Sequence, residues 1–407
     1  MLAIPMDEQE LKNPDMLMER LRTIEGINIL KAQMEDEDAV IDVEAVYNDT
    51  LYIAKIYPMQ ISLPPFYRTQ HFFPDVDITA IEAREVGLAV VLEFTGDALV
   101  SYHLQLKMID AMFSGVLAVI DDSAEKILSG RWVSLAAASN VPPAPRYLYT
   151  VQAVGGGEGE VWLHSHGLNR CGTTELEILG STSENYEAHY YVIETMANRM
   201  LELEDEPLEP REPLFLARLS DQVILVTTML PWNEAIALYD EDILGGASDR
   251  EEGHNQDTSC IFTYANGEDY EQGRISSVSI YDELLADNPV YMVSAKETER
   301  MKALAIERLD YVRRVAGSEN TTILVKIGLT VDEDKKSDGN EKEHIWFELQ
   351  EINDRTLRAE LTQEPYYIEG IHKGYVGEYT LDMVTDWIIL TPEQRITPDD
   401  VYLIETI

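Results

Sequence analysis

The chain has 407 residues with 75 acids against 31 bases, a formal net charge of -44, and 45% hydrophobic residues. That length allows about two to three domains with real cores, and two cysteines cannot staple a fold of this size. A surface this acidic repels phosphate backbones and anionic lipid, so neither nucleic acid nor a membrane surface is an expected partner.

The acidity is even along the chain: residues 321–407 carry a net charge of -11 and residues 1–320 carry -33. The first residues, Met1 to Glu8, lack a basic start and turn acidic before an apolar core can form, so no secretory signal is expected. Pro14 to Ile24 places Met18 and Leu21 at helical spacing. Two strand-like runs follow, 39–47 and 51–57, joined by Asn48-Asp49, which predicts a hairpin. Val86–Phe94 reads as a buried strand, far short of a ~20-residue membrane span. Asp97 is placed to cap a helix running through Phe113, apolar almost all round. Gly115 ends it, and Val116–Ile120 is a second buried strand. Strand, helix and strand with tight joints predict a βαβ-like crossover. Asp122 with Glu125 looks like a capping pair ahead of a short helix at Ala124–Leu128, a plainer reading than an Asp121-Asp122 magnesium site.

After a proline-rich loop, Tyr147–Val154 and Glu160–His166 flank Gly155-Gly156-Gly157, a predicted hairpin with a flexible tip. A phosphate loop is excluded there, because no Gly-Lys-Ser/Thr follows and Glu158 and Glu160 would repel phosphate. Leu176–Leu179 is a strand, Glu187–Leu203 a helix, and Leu214–Leu230 two further strands. Gly245–Thr258 reads as a mobile loop or linker. Ser294 and Glu297 form a capping box for a helix whose stripe runs Met301, Ala305, Leu309, Val312, Ala316. That helix holds Lys296, Arg300, Lys302, Arg308, Arg313 and Arg314, the one basic island. A solvated face, or a face packed on the protein's own acidic surface, is the expected role. From residue 321 onward, alternating runs at Thr322–Val331, Glu343–Ile352, Leu357–Leu361, Tyr375–Leu381 and Val384–Leu390 predict a bent five-stranded sheet or small barrel. The polar link before the second run carries an Asp338-Gly339 turn. It is no EF-hand, because Lys336 and Ile345 stand where ligand oxygens belong.

The strongest chemical constellation is Trp162-Leu163-His164-Ser165-His166, followed by Cys171 and Glu175. Residues two apart on a strand share a face, so His164 and His166 could meet one metal with Cys171, while Glu175 could activate a water. The plainer alternative is a hairpin edge whose histidines are merely hydrogen-bonded. Trp346, Trp387, Tyr366 and Tyr367 either line a peptide groove or form the core of a small β domain. No HExxH, CxxC or Gly-x-Ser-x-Gly is present.

Val325-Lys326-Ile327-Gly328, Glu343 to Leu349, Glu364-Pro365 and Thr385-Asp386-Trp387-Ile388 resemble the bacterial domain-of-unknown-function family 2314. The first three-quarters of the chain look like family 4026 of such domains, which often precedes it. His166-Gly167-Leu168, Gly172 and Glu175-Leu176-Glu177 are also similar to segments of related uncharacterised families. The resemblance implies a bacterial cytosolic protein and brings no catalytic motif or cofactor with it.

The expected fold is α+β. Mixed sheets with covering helices make up the N-terminal region, with a domain at 1–213 and an α/β segment at 214–320, and a small β-rich domain follows at 321–407. The expected function is that of a non-enzymatic, cytoplasmic binding protein, immunity- or antitoxin-like as one case, whose acidic surface faces a basic protein partner. The alternative is a metal-dependent hydrolase using His164, His166, Cys171 and Glu175.

Overall fold

Leu2–Pro5 form a fully buried strand, β1, in the middle of a seven-stranded sheet. The computed structural model describes residues 1–35, 40–70, 73–203, 207–250, 257–287, 289–336 and 341–406. The other strands of this sheet are β2 (Asn28–Glu35), β3 (Val40–Tyr47), β4 (Thr50–Gln60), β5 (Val86–Leu92), β6 (Val116–Asp121) and β7 (Lys126–Ser129), in the order β2-β3-β4-β5-β1-β6-β7. The predicted hairpin is β3–β4, and both Asn48 (φ 47°) and Asp49 (φ 62°) take the left-handed conformation that a two-residue turn demands.

The predicted crossover is split. β5 and β6 run parallel and are joined by the helix Ala98–Met112, but β1 occupies the slot between them, antiparallel to both. Asp97 caps that helix, accepting from the backbone N–H of Leu99 (2.8 Å) and Val100 (3.2 Å). Eleven of its fifteen residues are buried, as an all-round apolar helix requires. The opposite face of the sheet carries Leu2, Ile4, Ala89, Ala118 and Ile120, packed with Tyr67 and Ile81. No helix forms at Ala124–Leu128. Asp122–Glu125 is instead the turn into β7, with Glu125 at φ 49°. Ile127 and Leu128 become fully buried by pairing with β6, which outweighs one capped turn of helix.

The second sheet contains β8 (Thr150–Gly155), β9 (Glu160–His166), β10 (Glu175–Thr182), β11 (Leu214–Arg218), β12 (Ile224–Pro231), β13 (Thr258–Thr263) and β14 (Val290–Tyr291), in the order β14-β11-β12-β13-β10-β9-β8. It is mixed, since β10 and β13 pair in parallel. The helix Tyr186–Glu202 buries Val192, Ile193 and Met196. The beginning of the expected mobile linker is packed rather than loose: any Cβ at Gly245 would run into the Trp162 ring. The rest of that linker, residues 251–256, lies outside the described residues.

The third sheet is an open antiparallel one of β15 (Thr322–Thr330), β16 (Lys342–Ile352), β17 (Thr356–Leu361), β18 (Val376–Thr380), β19 (Val384–Leu390) and β20 (Arg395–Ile396), in the order β18-β17-β16-β15-β19-β20. No barrel closes. The Asp338-Gly339 turn lies outside the described residues. Ser294 caps the helix Ala295–Glu307, its Oγ accepting from the Glu297 N–H at 2.9 Å. The apolar stripe is interrupted at Arg308, after which a second helix, Leu309–Val315, begins. Trp387 is fully buried and its Nε1 donates to the Ala305 carbonyl at 2.9 Å. The basic island turns partly inward: Arg300 binds Glu297 and the Pro142 carbonyl, and Arg308 donates to the Pro398 carbonyl. Contacts divide the chain into two compact units, Met1–Ala137 with Pro143–Val293, and Ala138–Pro142 with Ser294–Ile407. The strands of the segment 214–320 therefore join the second sheet, while its helices Ala295–Glu307 and Leu309–Val315 fall in the unit of the third.

Gly130, at the joint between β7 and the helix Gly130–Ala138, sits directly against the Val116 carbonyl. Gly130→Ala pushes a methyl into that backbone and is expected to destabilise the fold by about 1–3 kcal/mol. Chemical denaturation with an unchanged m-value is the check.

Candidate functional site

The turn between β9 and β10 is organised by one carboxylate. Glu175 accepts from Ser165 Oγ (2.6 Å), the Gly167 N–H (2.8 Å) and the Asn169 N–H (3.0 Å). Gly167 has φ 115° and no room for a Cβ, which would meet the Leu148 carbonyl at 2.5 Å. Thus fixed, the turn projects Arg170 toward the first sheet.

There Arg170 grips Asp121, the last residue of β6. Nη1 and Nη2 meet Oδ1 and Oδ2 at 2.6 and 2.8 Å, and Nη2 also donates to the Leu148 carbonyl. The guanidinium lies 5.1 Å from the centre of the Tyr102 ring and 5.5 Å from that of Phe94. Burial pushes the Asp121 carboxyl up, but the charge and hydrogen bonds of Arg170, with Lys126 and the N-terminus, outweigh burial and hold it below its usual range. Lys126 is almost wholly buried and donates to the Tyr149 carbonyl at 2.9 Å. Burial lowers its pKa to about 7 against the pull of Asp121. Burial likewise raises the Cys171 thiol to about 12. Cys171 Sγ rests 3.6 Å from the Gly167 carbonyl, the geometry of a protonated thiol donating weakly to the turn.

His164 and His166 do share a face of β9, with ring centres 4.8 Å apart. His164 packs on Trp162 at 4.2 Å, and His166 Nε2 lies 3.7 Å from Glu125 Oε2. Glu177, opposite His164 in register, is fully buried. Its Oε2 accepts from Trp162 Nε1 (3.0 Å) and Arg250 (2.5 Å). Arg250 in turn lies against the faces of Trp162 and Trp232, 5.4 and 4.2 Å from their centres. His164, His166 and Glu177 border a cavity of about 220 Å³ whose lining also includes Ser123, Arg170, Glu175 and Thr258. A shallower groove of about 560 Å³ shares Asn169 and Thr258 with it and continues past Trp232 and Asp257.

Of the sequence-predicted residues, His164, His166 and Glu175 reach the cavity wall, while Cys171 is not among its lining residues. Both Glu175 oxygens are engaged by the turn. Among the described residues no group of three or more His, Cys, Asp or Glu side chains is placed to hold a metal ion. Sequence reasoning missed Arg170, Glu177, Arg250 and Thr258. The available signal was in β10, where Glu175 and Glu177 interrupt an otherwise apolar run: a carboxylate inside a buried strand needs a partner from elsewhere. In the C-terminal unit the four aromatic residues separate. Trp387 is core, Trp346 lies under Lys326, and Tyr366 (78% exposed) and Tyr367 are outside, their backbone N–H groups held by the buried Glu343. Asp386 accepts from the Trp387 N–H at 2.8 Å, and burial lifts its pKa to about 6.

A family model described as protein of unknown function (DUF4026) N-terminal matches residues 1–143, and its C-terminal counterpart matches 150–262. The chain belongs to the DUF4026 family. A third model, an uncharacterized protein conserved in bacteria (DUF2314), matches 292–398. Neither a curated protein nor a solved structure matches the chain. Apart from Ala138–Pro142 the two DUF4026 segments fall in one structural unit, and Arg170 of the second binds Asp121 of the first.

Removing one partner of such a buried pair leaves an uncompensated charge, so Arg170→Ala is expected to cost about 3–5 kcal/mol in equilibrium unfolding. Lys126 gives a second outcome. Its folded pKa lies below the unfolded value of about 10.4, so the unfolded chain binds the extra proton and stability rises with pH above 7. Between about pH 7 and 8 the rise is on the order of 1 kcal/mol. Lys126→Met flattens that difference, read from denaturation midpoints at the two pH values.

Proposed function

We propose that this DUF4026 protein is a non-enzymatic binding protein whose acidic exterior receives a basic protein partner, with an immunity- or antitoxin-like role as one case. The observation that carries this reading is the distribution of charge. The chain has a net charge of -44, yet several of its 31 bases are drawn inward: Lys126, Arg250, Arg300 and Arg308 are nearly buried, and Arg170 is sealed on Asp121. The bases that would soften the surface field are thus spent on internal carboxylates and carbonyls, and acids dominate what a partner meets. The reactive groups near β9 favour the same reading. Glu175 is committed to the turn and burial holds Cys171 as a thiol.

Electrostatic attraction of this kind is screened by salt. The test is capture of a basic protein from a bacterial lysate at about 50 mM salt, followed by affinity measurement with the purified partner up to about 500 mM. The expected result is a loss of affinity of about tenfold or more over that range. A captured partner that is itself acidic, or an affinity insensitive to salt, overturns the reading.

A further inference from the structure

One face of the first sheet is covered at one end and bare at the other. Leu51, Ile53, Lys55 and Tyr57 alternate along β4 with the buried Tyr52, Ala54 and Ile56, so they share a face. Tyr57 stands opposite Ala89 and packs against the cluster of Leu2, Ile4, Tyr67 and Ile81, which covers that end. Toward the β3–β4 turn the cover stops, and Leu51, Ile53 and Val91 are 51%, 52% and 49% exposed. Register makes them one patch. Leu51 faces the half-buried Val46 across the hairpin, and Val91 faces Lys55, two residues along β4 from Ile53. Single apolar side chains on a surface need no reason, but a joined patch of them on a sheet face marks an interaction surface.

The charges beside the patch say what covers it. Ile53 sits between Glu44, its register partner on β3, and Glu93, just past β5, whose backbone N–H donates to the Ile53 carbonyl at 3.2 Å. The two bases of this face are drawn to Asp42 instead: Lys31 lies 3.6 Å from it, and Lys55 is its register partner. Among the described residues neither Glu44 nor Glu93 forms an ion pair. The exposed isoleucine is thus flanked on both sides by uncompensated carboxylates.

We propose that this face of β3, β4 and β5 docks an amphipathic helix of a basic protein partner. Its apolar stripe lies on Leu51, Ile53 and Val91, and a Lys or Arg on each side of the stripe reaches Glu44 and Glu93. The proposal rests on the reading of a basic partner given above and names the surface that receives it. The dimensions agree: β3 and β5 are two strand spacings apart, about 10 Å, and a helix with its side chains is about 10–12 Å wide. A second copy of this chain would bring the same glutamates and a net charge of -44 against them. An anionic lipid surface would be repelled in the same way.

The test is fluorescence anisotropy of the intact protein with a labelled helical peptide of about 18 residues, a leucine stripe edged by lysines, and with a twin edged by glutamines. Saturable binding of the lysine-edged peptide at about 50 mM salt is expected, with the twin at least about tenfold weaker. The triple variant Leu51→Thr, Ile53→Thr and Val91→Thr changes only exposed strand positions and keeps a residue suited to a strand at each. It is expected to weaken binding about tenfold or more. Glu44→Gln with Glu93→Gln is expected to weaken it about threefold and to flatten its salt dependence. Tyr366→Ser, on an exposed aromatic residue of the C-terminal unit, is the control and leaves the affinity unchanged. No binding of the lysine-edged peptide, equal binding of its twin, or an unaltered affinity in the folded triple variant overturns the proposal. Failure of the wider reading looks different. A basic partner whose salt-sensitive affinity is the same for the triple variant removes this surface alone, whereas an affinity insensitive to salt removes the reading on which it rests.

Discussion

The bidentate pair between Arg170 and Asp121 is the constraint on which the first unit depends. It ties the turn after β9 in the second sheet to the end of β6 in the first, where Asp121 is fully buried and the Arg170 side chain is largely so. A buried pair of this kind contributes little net stability over an apolar substitute, but it is intolerant of separation. It therefore acts as a registration device. Once Asp121 is present, only a donor fork at the right height completes the core, and the turn held by Glu175 supplies it. Lys126 on the Tyr149 carbonyl, and Tyr102 and Phe94 beside the guanidinium, extend the same polar seam between two apolar layers.

The second buried pair, Glu177 with Arg250, uses the same logic to a different end. It holds the chain near Gly245 against Trp162. The C-terminal unit has its own version on a smaller scale. Glu343 fastens the backbone of Tyr366 and Tyr367, and Trp387 locks the helix Ala295–Glu307 to β19 through the Ala305 carbonyl.

Much of the scaffold was legible because it is local. Asp97 and Ser294 as caps, Asn48-Asp49 as a turn and the alternating runs of the third sheet are short-range physics, and each appears at its expected place. What failed was non-local. The strand Leu2–Pro5 is too short to announce itself, and its insertion between β5 and β6 reflects an unfilled slot far along the chain. Ala124–Leu128 carried a capping pattern that lost to strand pairing, because burying Ile127 and Leu128 outweighs one capped turn.

For the candidate site the division is the same. Residue type and period alone put His164 and His166 on one face, and composition alone made the body strongly acidic. Whether a charge ends on the surface or inside is not written in its neighbours. Arg170 binds an acid 49 positions away and Arg250 one 73 positions away, and only the packed structure brings each pair within hydrogen-bond distance. Burial then decides their chemistry, since removing water turns ordinary charges into obligate partners and keeps Cys171 a thiol.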